Sequence, residues 1–416
     1  MQVAIGVGFV CALLIALQIV ALSYGFQGPL WSLASDYVAT PKAPEVLWAG
    51  LGLASVGLTK RRRVVALSVA AGIDVLFLAG RALTGSQLAI GNGPLIVLTC
   101  LAFVAWRRWT GTERRNAAGS IALGALLIIA IKVGYGWLDV TAIACPKVLD
   151  EYVMLADYAF GQPSWLFGRM MQASGPVPPF VFHTVYNSLS VAAMAVAVYQ
   201  LRNVTRAPWP RHYVVRTFLL LGLIGPVIYV IFPVVGPAYA FGADGEGFQL
   251  GNFWPHILPP LDWAPGVLRF DEETPRNCMP SMHTAWATAV FIHSRRGPGW
   301  LRWGGAFWLF GTLTATLGFG YHYAVDLVVG AVLCLAVESM LRDPDRGWDR
   351  IRVALVGGGA VLLTALLLGF RYLAVPMAHL PFIFGPLMLA LLAAYAFAFY
   401  AVFFRRRLLV VSRQDI

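Results

Sequence analysis

Charge is scarce in this chain. Lys, Arg, Asp and Glu make up 12% of its 416 residues, against 59% hydrophobic residues and a mean hydropathy of +0.70. A soluble globular protein carries about twice that charge, so a water-soluble fold is excluded. Cysteine is also sparse: there are five, none at CxxC or other metal-ligand spacing, which excludes zinc-ribbon scaffolds. No basic residue precedes the first apolar run, so that run lacks a signal-peptide n-region and is expected to be a retained helix. No internal sequence repeat is found. The net charge of +11 points towards nucleic acid at first sight, but no basic surface with interleaved aromatics occurs, and that partner is excluded.

What is abundant is apolar sequence in runs near the length of a membrane crossing. Twelve segments qualify: 3–24, 45–59, 64–83, 92–106, 119–139, 180–200, 213–234, 280–294, 300–319, 322–341, 351–371 and 380–404. The expected fold is all-α, a polytopic membrane protein with about 12 transmembrane helices, integral to the cell or inner membrane. Most basic residues fall in short breaks, such as Lys60-Arg61-Arg62-Arg63, Arg295-Arg296 and Arg405-Arg406-Arg407. If the spans alternate, these breaks share one side, as the positive-inside rule requires, and both termini are cytoplasmic. Two long loops, 140–179 and 235–279, then lie on the extracytoplasmic side. The first mixes acids, aromatics and prolines and is expected to hold short interfacial helices. The second carries Trp254, Pro255, His256, Pro259, Pro260 and Trp263; loops of this length are usually functional. Four regions follow: N-terminal helices over 1–139, an interfacial segment over 140–179, a catalytic core over 180–341, and C-terminal helices with a tail over 342–416.

Two histidines carry the chemistry. His283 ends Pro280-Ser281-Met282-His283, and His322 begins His322-Tyr323-Ala324-Val325-Asp326, 39 positions later. That interval is long enough to cross a membrane and return, so both imidazoles are expected at one membrane level. Four residues apart on a helix, His322 and Asp326 share a face, and the carboxylate can orient the ring. Pro280 and Ser281 precede a helix N-terminus, where free amides favour phosphate. Nucleophile, orienter, leaving-group acid and anion cradle form a phosphoryl-transfer set. A metal centre from the same residues is short of ligands, and no cofactor or metal is expected.

These motifs, PSMH followed by HYAVD, resemble the second and third signatures of the type 2 phosphatidic acid phosphatase (PAP2) superfamily, closest to the inositol phosphorylceramide synthase and sphingomyelin synthase-like branch. Phe232-Pro233-Val234-Val235-Gly236-Pro237-Ala238-Tyr239 is similar to a Pro-rich stretch of that branch. The resemblance implies a six-helix core in the C-terminal part, with His322 as nucleophile forming a phosphohistidine, Asp326 as its orienter, His283 as acid/base, and Ser281 near the phosphate. The phosphatase pattern's Lys-six residues-Arg-Pro motif is missing, and Ala315-Thr316 stand where it has Ser-Arg. Both differences remove phosphate-holding cations and favour the synthase-like branch. Arg276 is the expected replacement, since arginine clamps phosphate bidentately; Arg269 is expected to meet lipid headgroups.

Tyr186, Asn187 and Tyr323 are further candidates for contact with substrate, with His183 beside them. Cys145 and Cys278 share the extracytoplasmic loops, where a disulfide is chemically permitted. His256 and His293 read as surface or interfacial residues. Within the spans, Asp74 and Lys132 are expected to pair, since ionisable groups at membrane depth need partners. The reading is a membrane phosphotransferase moving a phosphoryl-linked headgroup from a phospholipid or polyprenyl-phosphate donor to a lipid, sugar or polyol hydroxyl, at the extracytoplasmic face. A lipid phosphate phosphatase using the same residues is the alternative. A secondary transporter, with Asp74 and Lys132 as coupling groups, is the rival from another class; against it, no paired halves with matching broken helices are visible.

Overall fold

A computed structural model describes residues 2–241, 261 and 264–404. The aromatic and proline cluster from Trp254 to Trp263, His256 included, and the basic tail from Arg405 lie outside the described residues.

The described residues are mostly helical. In the first part the helices are α1 (Gln2–Tyr24), α2 (Pro29–Ser35), α3 (Pro44–Ala54), α4 (Lys60–Thr84), α5 (Asn92–Arg108) and α6 (Gly111–Ala144). There follow α7 (Asp150–Asp157), α8 (Pro163–Ala173), α9 (Val177–Asn187), α10 (Leu189–Leu201), α11 (Val214–Ile231) and α12 (Pro237–Phe241). The last group is α13 (Met282–Ser294), α14 (Gly299–Gly318), α15 (Ala324–Leu341), α16 (Arg350–Tyr372), α17 (Ala374–His379) and α18 (Pro381–Phe403). Among the described residues the strands are β1 (Lys147–Val148) and β2 (Leu268–Arg269), antiparallel, with Lys147 opposite Arg269.

Each of the twelve apolar segments is helical. Length and composition single out seven as able to cross a membrane, α1, α4, α6, α11, α15, α16 and α18, or eight if α9 and α10 form one bent span. The others are shorter or less apolar. At 13 residues, α13 rises only about 20 Å, short of a hydrocarbon core of about 30 Å. Burial ranks the spans: 72% of the α15 window is enclosed by protein, against 17% for α1. The helix that follows the second histidine motif is thus a central one, while α1 turns an apolar surface outward.

Contacts divide the chain into two compact units, Met1–Val140 with Ser190–Val215, and Thr141–Leu189 with Arg216–Ile416. In the first, Leu47, Leu51, Leu95, Leu98 and Ile128 belong to one buried apolar cluster. Its buried charges are partnered, but not with each other as expected. Lys132 pairs with Asp36 and donates to Ser32 Oγ at 3.1 Å. Asp74 accepts instead from the amides of Gly91 (2.8 Å) and Gly93 (2.7 Å) and from Trp48 Nε1 (3.1 Å), satisfying donors at the start of α5. A helix N-terminus needs an acceptor as much as a lysine does, and Asp74 is spent there.

In the second unit α13 and α15 lie side by side. Gly330 makes this possible: a Cβ there would stand 2.3 Å from the Ser281 carbonyl oxygen. At the far ends of the same helices, His293 Nε2 meets Glu338 Oε1 at 2.7 Å, Arg342 Nε donates to Glu338 Oε2 at 2.9 Å, and Thr217 donates its hydroxyl to Glu338. All four residues are buried. His293 is therefore an internal residue, not a surface one, and one of the donors that surround the buried Glu338 and offset the penalty of its burial.

Candidate active site

The first histidine is placed by a helix cap. Ser281 Oγ accepts from the Thr284 amide at 3.3 Å and donates to Thr284 Oγ1 at 3.0 Å, which starts α13 and puts His283 in its first turn. The second is placed by a turn. After α14, the Thr316 carbonyl accepts from the amides of Tyr321 (3.1 Å) and His322 (3.2 Å), with Gly320 at φ +64°. α15 begins only at Ala324, because Asp326 Oδ2 accepts the Tyr323 amide at 2.9 Å and closes the first turn. His322 and Asp326 therefore meet across a helix cap rather than along a helical face, Nδ1 to Oδ2 at 3.4 Å.

Both motifs converge on Asp326. The Ser281 amide donates to the Asp326 carbonyl at 3.3 Å. Cys278, two residues before the PSMH run, donates its thiol to Asp326 Oδ2 at 2.6 Å and lies 3.5 Å from His322 Nδ1. One carboxylate oxygen thus collects an amide, a thiol and an imidazole. Asp326 is fully buried, His322 is 4% exposed and His283 is half-buried. Above His283 lies Tyr186, its ring stacked at 3.8 Å and 18°, with Tyr321 5.1 Å from Tyr186. Of the expected substrate contacts, Tyr186 is the one brought against a motif histidine.

The remaining candidates are placed elsewhere. Asn187 is exposed and bonds His183 one turn back, Nδ2 to Nε2 at 3.0 Å. Tyr323 is fully buried, and its hydroxyl donates to Asp150 Oδ1 at 2.9 Å. The Ser281 hydroxyl is used in the cap. Arg276, expected to clamp phosphate, is fully buried and holds its own loop: Nε donates to the Cys145 carbonyl at 2.9 Å, and both terminal nitrogens donate to the carbonyls of Thr274 and Asp271. Arg269 is exposed in β2. Cys145 and Cys278 are free thiols; that of Cys145 points to the Val230 carbonyl at 3.7 Å.

Two buried acids beside the motifs come from a helix with no motif. On α7, Asp150 accepts from the amides of Val235 (3.0 Å) and Gly236 (2.9 Å) besides Tyr323, and Asp157 Oδ1 accepts the Val325 amide at 3.1 Å. Asp150 fastens the Pro-rich stretch and the second motif to one point; Asp157 caps α15. Burial pushes Asp150 up to about 6, against the lowering effect of its two amide bonds, and pushes Asp157 up to about 8. Burial, reinforced by the charges of Asp326 and Asp150, also holds the Cys278 thiol well above its usual range. Seven positions separate Asp150 from Asp157, which places both acids on one face of a helix; that spacing is the signal that could have found them. Cys278 offers no such signal.

With the geometry in place, comparison with known proteins gives the following. Residues 160–339 match the model of the PAP2 superfamily, in accord with the motifs at the level of the superfamily; the match does not single out the synthase-like branch. Residues 1–140 match a domain of unknown function, DUF5933. No curated protein and no solved structure matches the chain.

Proposed function

We propose that the PAP2-superfamily domain makes this chain a membrane phosphotransferase that works through a covalent histidine. PAP2-superfamily proteins are generally phosphatases or phosphotransferases, and a membrane lipid phosphate is the matching substrate class. The observation that carries the finer reading is the convergence of both motifs on Asp326.

In this reading His322 attacks phosphorus through Nε2, since Nδ1 faces Asp326. The bond from phosphorus to the leaving oxygen breaks, and that oxygen takes a proton from His283. The phosphohistidine is then attacked by an acceptor hydroxyl, whose proton returns to His283, and His322 is released. Asp326 stabilises the imidazolium character that develops on His322 and fixes its tautomer. The missing signature cations, together with the use of Arg276 inside its loop, favour a singly charged phosphodiester donor over a dianionic monoester. This is the synthase-like reaction, with a phospholipid or polyprenyl-linked donor and a lipid, sugar or polyol acceptor. Water as acceptor makes the same machinery a phosphatase. The side shared by the basic breaks supports a site on the extracytoplasmic face.

The test is incubation of purified protein with candidate lipids, followed by mass spectrometry of products and of the alkaline-denatured protein. A phosphorylated His322 peptide and a new phosphodiester are expected; free phosphate in its place selects the phosphatase. Lipid turnover that survives His322→Ala refutes the mechanism.

A further inference from the structure

We infer that Cys278, His322 and Asp326 form a binding site for a soft divalent cation of the zinc type, and that its occupation switches the catalytic pair off. The inhibitory half of this inference rests on the function proposed above; the binding half does not.

Three different donors, a sulfur, a nitrogen and an oxygen, lie within 4.8 Å of one another, all on buried residues. Zinc takes sulfur at about 2.3 Å and nitrogen or oxygen at about 2.0–2.2 Å in tetrahedral geometry. Those bond lengths require ligand separations of about 3.6 Å for sulfur to nitrogen, about 3.4 Å for nitrogen to oxygen and about 3.6 Å for sulfur to oxygen. Here Sγ to Nδ1 is 3.5 Å and Nδ1 to Oδ2 is 3.4 Å, so two of the three edges are already at length. The third, Sγ to Oδ2, is 2.6 Å, the thiol donating its proton to the carboxylate. An ion in place of that proton requires this edge to open by about 1 Å.

Charge favours the exchange. A thiolate and a carboxylate neutralise a divalent ion, so the filled site carries no net charge, the condition under which ions are tolerated in a buried place. The donor set excludes magnesium and calcium, which prefer all-oxygen shells, and selects zinc, cadmium or cobalt. Inhibition follows from the imidazole. With the ion on Nδ1, the ring's proton is confined to Nε2, so the atom assigned to attack phosphorus no longer has a lone pair. The thiol proton of Cys278 is released to solvent, and the fourth coordination position is left to water.

The experiment is a cobalt titration of the purified full-length protein in detergent, read by absorbance and by lipid turnover in parallel. A thiolate-to-cobalt charge-transfer band saturating at one ion per chain is expected, with turnover lost over the same concentration range and magnesium without effect. Cys278→Ser should abolish the band and raise the inhibitory zinc concentration about tenfold or more. Absence of the band in the wild-type protein overturns the proposal without recourse to a variant. So does a band that persists in Cys278→Ser, or inhibition there at the wild-type concentration. A band in a protein that turns over no lipid upholds the site and refutes the assigned activity instead.

Discussion

Replacing Asp157 by asparagine should stabilise this protein at neutral pH. The carboxyl is fully buried and caps α15 through one oxygen, while the other is buried without a hydrogen-bond partner among the described residues. Burial raises its folded value to about 8, against about 3.9 in an unfolded chain. A carboxyl raised in this way contributes stability that is fully present below the unfolded value and is lost as pH rises through the folded one. At pH 7 the unfolded chain gains about three pKa units of ionisation that the folded state forgoes, an upper bound of ~4 kcal/mol. Asparagine keeps an acceptor for the Val325 amide and cannot ionise. The melting midpoint, followed by tryptophan fluorescence in detergent, should therefore be equal for the two proteins near pH 4. Asp157→Asn should pull ahead by several degrees between pH 5 and 8, and the gap should level off above that. Asp150 titrates in both proteins, so the difference isolates Asp157. Parallel pH profiles, or an asparagine variant that melts lower throughout, would show that Asp157 is ionised in the fold and that the charge is part of the cap.

Two other substitutions probe the frame of the site. Gly330→Ala sets a methyl against the Ser281 carbonyl and should cost about 1–3 kcal/mol; kcat should fall with the lipid KM little changed, and full turnover in this variant would mean that the contact does not set the histidines' spacing. Arg276→Lys keeps the charge but cannot serve three carbonyls, so the melting midpoint should drop by the equivalent of about 1–3 kcal/mol with KM unaltered; a raised KM at an unchanged midpoint would restore Arg276 to the phosphate.

Much of this was legible in the chain itself, for identifiable reasons. Apolar runs are local, and every segment expected to cross is helical; but α13, with only 13 residues, shows that apolar sequence at a membrane need not span it. The two motifs were found because their spacing leaves room for one helix out and one helix back, α13 and α14. What sequence proximity misjudged were partners supplied by folding. Arg276 stands four residues before Pro280, yet the carbonyls of its own loop claim it first. Lys132 was paired with Asp74 because both lie in spans, whereas Asp36, beside the short helix α2, is the acid that reaches it. Cys278 looked like half of a disulfide and is a third donor to Asp326. For Arg276 and Lys132 the competitor was a backbone group or a loop residue, invisible to any pattern of apolar and charged letters; for Cys278 it was a motif acid whose reach the spacing does not show.

The buried Glu338 tie gives the site a mechanical property. Ten residues, about 15 Å, separate His283 from His293 on α13, and the two helices are fastened near both extremities, by Asp326 at one end and by Glu338 at the other. A beam fixed at two points resists sliding and swivelling, which holds the first turn of α13, and His283 with it, against the cap of α15. Under the proposed reaction, bulky and slender lipids would then be accommodated by whatever surrounds the gap between the imidazoles, Tyr186 and the Tyr321 turn first among them, while the reacting geometry stays the same for all.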